Sequence, residues 1–356
     1  MKIAILNDTH FGARNDSEAF RDYQLKFFND IFFPYIKKHN IKTLVHLGDV
    51  VDRRKFINHQ TASVWRKAFW DVLWKEKIDT HIIIGNHDTY FKNTNEVNAI
   101  ENLYTSFDGN NEPWIYTRPK IVTFDGLDIL FMPWICDDTK EESTHLLDTA
   151  PVEIVMGHLE VKGVEMQNGI INEYGNAKSD FKRFERVISG HFHKHTDDGQ
   201  IFYCGAQYEQ TWADYNDPKG FHIFDTETRE IERVWNPKTI HKKIIYNDAI
   251  KDYENINLEQ YNNHFVKLIV LNKTKEHIFD RFVERLYNEI TIHDLNIVED
   301  YSDIKATVRE DILEMGEDTV TFLNNYVDQL DTDIDKSKLK QYLKSIYIEA
   351  SDHNAS

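Results

Sequence analysis

The run His81-Ile82-Ile83-Ile84-Gly85-Asn86-His87-Asp88 constrains this chain more than any other stretch. Its apolar, β-branched positions predict a short buried strand, and Gly85 ends that strand so that Asn86, His87 and Asp88 stand at its carboxyl end. Open α/β sheets keep their chemistry at that end. Four further segments share the design: Lys2–Asn7 leads to Asp8-Thr9-His10, Lys42–Leu47 to Gly48-Asp49, Val152–Met156 to Gly157-His158, and Arg186–Ser189 to Gly190-His191-Phe192-His193. Polar side chains from five separated segments can therefore converge at one edge.

The intervening sequence supplies the helices such an arrangement needs. Ser17 is a suitable N-cap for a helix carrying Phe20, Tyr23, Leu25, Phe27, Phe28 and Ile31, which Pro34 ends or kinks. A second helix, from about Gln60 to Lys75, puts Trp65, Phe69, Val72 and Leu73 on one face, a pattern of core packing rather than of a base-stacking surface. The β-α-β-α-β series predicts parallel strands with right-handed crossovers. From about residue 114 the strands shorten, over Lys120–Thr123 and Asp128–Phe131, followed by a helix near Glu141–Leu147. Strands near Ile201–Tyr203, Phe221–Asp225 and Ile231–Trp235 close the region.

A polar run over 236–262, opened by Asn236-Pro237, breaks the pattern and divides the chain into segments 1–240, 241–300 and 301–356. In the second, strands over His264–Leu271 and His293–Asp300 flank a helix over Lys275–Tyr287, giving a small α+β appendage. Residues 301–335 carry ten acidic side chains against two basic ones and read as a solvated helical or loosely ordered stretch. A last helix, about Asp335–Ala350, sets Leu339, Tyr342, Leu343, Ile346 and Tyr347 in one stripe, flanked by Lys336, Lys338, Lys340 and Lys344. That stripe suits either its own domain or a partner.

A net charge of -18 argues against a free-standing polyanion binder, which relies on a broad basic face. Contact with nucleic acid would have to be local, metal-assisted or shared with a partner. Cys136 and Cys204 make neither a disulfide framework nor a cysteine metal site, and a reducing cytoplasm fits them best. Met1-Lys2 runs straight into a strand, and no apolar run is long enough to span a bilayer, so a soluble protein without membrane association is expected.

Asp, His and Asn at strand ends, without Cys, form a ligand set suited to Mn, Fe, Zn or, less well, Mg. Seven are available: Asp8, His10, Asp49, Asn86, His158, His191 and His193. Two ions sharing a carboxylate and a water need about that many, and Asp49, on the central strand, is the natural bridge. Two ions about 3.5–4 Å apart would lower the pKa of the water between them and clamp the phosphoryl oxygens of an in-line displacement. The resulting hydroxide would be the nucleophile. His87, one residue beyond Asn86, should overhang the site as a general acid, kept protonated by Asp88 or Asp52. Arg53, Arg54, Lys55, Lys92 and Arg14 lie near the motif loops and could supply phosphate contacts. His46, His59, His81, His145 and His222 read as ordinary core or surface residues, and His195 as a support or surface residue.

In this order the motifs Asp8-Thr9-His10-Phe11-Gly12, Gly48-Asp49-Val50-Val51-Asp52-Arg53, Gly85-Asn86-His87-Asp88, Gly157-His158-Leu159-Glu160 and Gly190-His191-Phe192-His193 resemble those of the calcineurin-type metallophosphoesterases. Within that superfamily the chain is most similar to the nuclease subunit of SbcCD complexes, the family of the meiotic recombination eleven nuclease, and especially to phage recombination endonuclease subunits. The match covers roughly residues 1–235. The resemblance implies a four-layer α/β/β/α sandwich, with the appendage as a cap and C-terminal helices for partner binding. One Mn would be held by Asp8, His10, Asp49 and His193, a second by Asp49, Asn86, His158 and His191, with Mg possible in their place. It also implies exonuclease and endonuclease activity on double- and single-stranded DNA in recombination, repair and replication, with an SbcC-type, SMC-like coiled-coil ATPase as partner. A homodimer formed by the helices after the first two strands is implied too, as is a cytoplasmic setting, that of the host if the chain is phage-encoded. Archaeal and eukaryotic members carry a His three residues after the bridging Asp. Here Asp52 stands in its place, so a substrate-positioning role for that His does not transfer.

Two related chemistries compete. Gly48-Asp49-Val50-Val51-Asp52-Arg53 approaches the motif of phosphoprotein phosphatases, but Gly-Asn-His-Glu is Gly-Asn-His-Asp here and Arg54 replaces the final Gly. A small-molecule phosphodiesterase would use the same ligands with different pocket walls. A scaffold with a dead site would be favoured by loss of a ligand, and all seven are present.

Overall fold

The computed structural model describes residues 1–103, 113–167 and 170–299, together with Val327, Lys336 and Leu339. It divides the chain into two compact units, one of residues Met1–Gln210 and Asn216–Ile240, the other of Thr211–Tyr215 with the described residues from His241 on. The acidic stretch 301–335 and the expected helix over 335–350 lie outside the described residues, apart from those three single positions.

In the first unit the strands are β1 Lys2–Leu6, β2 Thr43–His46, β3 Asp79–Ile83, β4 Trp114–Tyr116, β5 Lys120–Phe124, β6 Leu127–Met132 and β7 Ile154–Gly157. They continue as β8 Glu165–Gln167, β9 Ile170–Ile171, β10 Arg186–Ser189, β11 Thr196–Asp197, β12 Ile201–Tyr203, β13 Lys219–Asp225 and β14 Ile231–Asn236. One six-stranded sheet has the order β14-β13-β1-β2-β3-β4, its four N-terminal strands parallel as the β-α-β reading requires. A second has the order β11-β12-β10-β7-β6-β5, with β12, β10, β7 and β6 parallel.

Period-two alternation builds the layers. Ile3, Ile5, Val45, Leu47 and Ile83 of the first sheet meet Ile129, Phe131, Ile154, Met156, Ile188 and Phe202 of the second in one buried core. The alternate residues Leu130, Met132, Val155, Val187 and Tyr203 pack instead with Leu146, Leu147 and Phe181 on the second sheet's outer face. Leu146 and Leu147 come from the helix Lys140–Thr149. Helices from Glu18 to Lys38 and from His59 to Lys75 bring Phe28, Phe69 and Trp65 together, with Trp65 stacked 3.8 Å from the Phe11 ring. The result is an α/β sandwich of two mixed sheets with helices.

Pro34 does not end its helix. A π-turn at Phe28–Phe32 widens the backbone just ahead of it, the Phe33 amide reaching back to the Phe28 carbonyl, so the chain continues helically to Lys38. The wider turn relieves the clash a proline ring makes with the carbonyl four residues earlier.

The second unit holds a parallel sheet of β15 His241–Asn247, β16 Phe265–Asn272 and β17 Asp294–Val298, covered by the helix Glu276–Asn288. Tyr246, Leu268, Phe279, Phe282 and Leu286 form its core. Strand β15 lies inside the stretch that read as a polar break, because Lys242 and Lys243 obscure the buried set His241, Ile244 and Tyr246.

Candidate metal centre

The carboxyl ends of β1, β2, β3, β7 and β10 lie together. Backbone bonds continue past the strands: the Asp8 amide donates to the Gly48 carbonyl at 2.9 Å, the His10 amide to the Asp49 carbonyl at 3.1 Å, and the Gly190 amide to the Gly157 carbonyl at 3.1 Å. Asp8, His10, Asp49 and His191 have φ of 48, 43, 55 and 85°, a left-handed backbone that non-glycine residues adopt at a cost. The strain turns each side chain inward. Gly85 makes the approach possible, since a Cβ there would stand 2.2 Å from Asp49 Oδ1. At Gly48, with φ +94°, a Cβ would stand 2.5 Å from His158 Nδ1.

All seven expected ligands gather here, in two groups. Asp8, His10 and His193 offer ligand atoms within 4.8 Å of one another, and so do Asp49, His158 and His191. His10 Nε2 lies 3.2 Å from His193 Nε2. Asn86 joins the second group, its Oδ1 2.8 Å from His158 Nε2 and 3.2 Å from His191 Nδ1. Asp49 Oδ2 stands between the groups, 3.2 Å from His158 Nε2 and 3.9 Å from His10 Nε2.

The donor chemistry fits a cation. His158 Nδ1 donates to the Leu47 carbonyl at 2.7 Å, which leaves Nε2 facing Asn86 Oδ1 and Asp49 Oδ2, where a bound cation would take the place of any proton on it. Three electron-rich atoms then face one another in a buried space, which a shared positive charge stabilises. Contact with Asp52 and the charge of Asp49 outweigh burial at His10 and raise its pKa. Beneath the site His46, 3.1 Å from Thr9 Oγ1, is driven down to about 3 by burial and is neutral.

Asp88 does not hold His87. Its carboxylate accepts the amides of Asp49 and Gly85 at 2.9 Å each, of Val50 at 2.8 Å and of Val51 at 3.2 Å, so it ties the β2 and β3 turns together. Burial and the Asp49 charge raise its pKa, and the backbone donors pull it back. His87 is held by Asp52, through the backbone carbonyl, which accepts from Nδ1. The His87 amide donates to Asp49 Oδ1 at 2.7 Å, and its ring packs edge-on against His10 at 4.8 Å.

Arg53 is engaged within the protein. It pairs with Asp16 and lies 4.6 Å from the Phe56 ring centre. Arg14 donates to the Gln210 carbonyl at 3.0 Å. Arg54, half-buried, has its Nη1 buried without a hydrogen-bond partner among the described residues. Lys55 is exposed.

Several residues of the site carry no signal in a sequence reading. Gln210 donates to the Asp8 carbonyl, while Tyr208 and Gln24 donate to the Thr9 carbonyl at 2.6 and 2.9 Å. Buried Lys219 donates to the His193 carbonyl at 2.9 Å and to Asp217 at 2.8 Å. Trp134, half-buried, lies 5.2 Å from the His191 ring. Glutamine and lysine are usually surface residues, and these act on partners far away in the chain. Only the unusual run Gln207-Tyr208-Glu209-Gln210 could have drawn notice.

The calcineurin-like phosphoesterase family model matches residues 1–195. Over 355 residues the chain is 32% identical to the exonuclease subunit 1 of Enterobacteria phage T4, covering 99% of this chain and 100% of that protein. A solved structure described as a novel archaeal phosphodiesterase covers 66% of this chain and 100% of its own at 17% identity, with a TM-score of 0.32. That last likeness is too slight to argue from. Among the described residues no helix is long and apolar enough to cross a membrane.

Proposed function

This chain belongs to the calcineurin-like phosphoesterase family, and on that premise we propose that it is a divalent-metal-dependent DNA nuclease, acting as both exonuclease and endonuclease within a larger complex. The observation that carries this reading is Asp49 Oδ2 lying between two histidine-rich clusters, 3.2 Å from His158 Nε2 and 3.9 Å from His10 Nε2. Its direction toward DNA is supported by the full-length likeness to a phage exonuclease subunit. One ion would be held by Asp8, His10, Asp49 and His193, the other by Asp49, Asn86, His158 and His191. Mn suits a donor set rich in imidazole better than Mg does. When bound, the ions activate water and neutralise phosphoryl oxygens.

The chain's own groups complete the reading. With Nδ1 committed to the Asp52 carbonyl, His87 exchanges its proton through Nε2 and delivers it to the departing oxygen. Asp88 keeps the Asp49 turn in place rather than acting on substrate. With Arg53 paired with Asp16, Arg54 is the one of the two assigned to phosphate in this reading.

The partner in this reading is an SbcC-type, SMC-like coiled-coil ATPase, bound through residues 301–356, with 241–300 as a cap and a homodimer through the first two helices. Recombination, repair and replication in a host cytoplasm are the setting that follows. The test incubates the purified chain with Mn, Mg or chelator on linear duplex DNA, single-stranded DNA, a phosphopeptide and a cyclic nucleotide. Nucleotide release from DNA with Mn, reduced about 10²–10⁴-fold in His87→Ala with metal still bound, is expected. Turnover of the phosphopeptide or the cyclic nucleotide alone would move the chain to the phosphoprotein phosphatases or small-molecule phosphodiesterases.

A further inference from the structure

Three aromatic side chains stand out on the two loops that leave the site beside His87. Phe56 is 64% exposed, Tyr90 41% and Phe91 48%. The loops share a root, because His87 Nδ1 donates to the Asp52 carbonyl. From Asp52 one runs through Arg53 to Asn58, and from His87 the other runs through Thr89 to Val97.

Both loops are anchored at their bases. Asn95, 1% exposed, donates to the carbonyls of Thr117 and Trp134 at 3.1 and 2.8 Å. The Tyr90 amide donates to the Val97 carbonyl at 2.8 Å and the Asp138 amide to the Asn93 carbonyl at 3.1 Å. Arg53, paired with Asp16, lies against the Phe56 ring, and the Asn58 side chain caps the following helix. Tyr90 and Phe91 meet edge to face at 4.7 Å. These rings are thus held toward water on fixed supports, an arrangement that marks a contact surface rather than loose packing.

We propose that Phe56, Tyr90 and Phe91 form a stacking platform for the unpaired bases of a DNA strand whose phosphate lies in the metal centre. The proposal rests on the nuclease reading above. A net charge of -18 argues against a broad basic face as this chain's hold on DNA, and flat base faces supply attraction that needs no positive charge. Every base has such a face, so the platform tolerates any sequence. Bases inside a duplex already stack on one another, so the platform selects single strands and frayed ends. A phosphopeptide offers no such row of flat rings.

The test compares two single-stranded oligodeoxynucleotides with Mn, one with all its bases and one with abasic positions flanking the scissile phosphate. The wild-type chain should show a KM lower by about tenfold or more for the base-bearing strand. In Phe56→Ala/Tyr90→Ala/Phe91→Ala the two KM values should converge, while replacement of the three by Trp should keep them apart. An undiminished preference in the alanine variant, or none in the wild type, overturns the platform while the nuclease reading stands. Failure of the wild type to cleave either strand overturns both.

Discussion

Gly85 decides more than its size suggests. A methyl group there would press on Asp49 Oδ1 at 2.2 Å and on the Asp49 amide at 2.4 Å, neither of which can retreat without moving the turn. Gly85→Ala should therefore weaken Mn binding at least about tenfold by titration calorimetry, a second-coordination effect of the size seen when a ligand loses its orienting partner. Asp88→Asn tests the strut. Its amide nitrogen would face backbone N–H donors where an oxygen now accepts, so stability to urea should fall by about 1–3 kcal/mol, with nuclease activity falling as Asp49 shifts. That these seven side chains would gather at one place was legible in the sequence because Gly, His, Asp and Asn at the ends of β-branched runs have few other uses. Which of Asp88 and Asp52 meets His87 was not legible, for a physical reason: adjacency to His87 in sequence says nothing about which amides a buried carboxylate will meet. Trp134 and Lys219 were not legible at all, since their contacts with His191 and with the His193 carbonyl exist only once the sheets have closed.

At the scale of elements, the strained turns depend on a segment some two hundred positions away. Ala206–Gln210 is buried and directs hydrogen bonds onto the Asp8 and Thr9 carbonyls, holding the left-handed backbone that points Asp8 and His10 inward. Gln210→Ala removes one such donor and should weaken Mn binding while leaving far-ultraviolet circular dichroism unchanged; Gln210→Glu, which offers no N–H, should do no better. A variant with unaltered Mn affinity would contradict this role. The parallel strands β1, β2 and β3 and the helices between them were readable from periodicity. The π-turn ahead of Pro34 was not, because a wide turn leaves no mark in the apolar spacing, and β15 was hidden by two lysines within its alternation.

The whole molecule buries imidazoles that the site does not use. His81, bonded to the Tyr116 hydroxyl at 2.8 Å, is lowered to about 4 by burial, and His222 between the sheets is lowered well below the ordinary value of 6.5. Such groups bind fewer protons folded than unfolded, so their contribution is complete above pH 6.5 and is lost as the pH falls toward the folded value. For His81 the loss between pH 6.5 and about 4 is about 3 kcal/mol. Urea unfolding in chelator should accordingly show stability dropping across that window, with a flatter profile in His81→Leu. The same sandwich that buries these rings brings five strand ends to one edge, and that edge matters only if Asp49 joins two ions. Manganese titration followed by electron paramagnetic resonance tests this most directly. Two ions per chain, magnetically coupled through a shared ligand and uncoupled in Asp49→Ala, are expected; a single ion, or two that never couple, would contradict it.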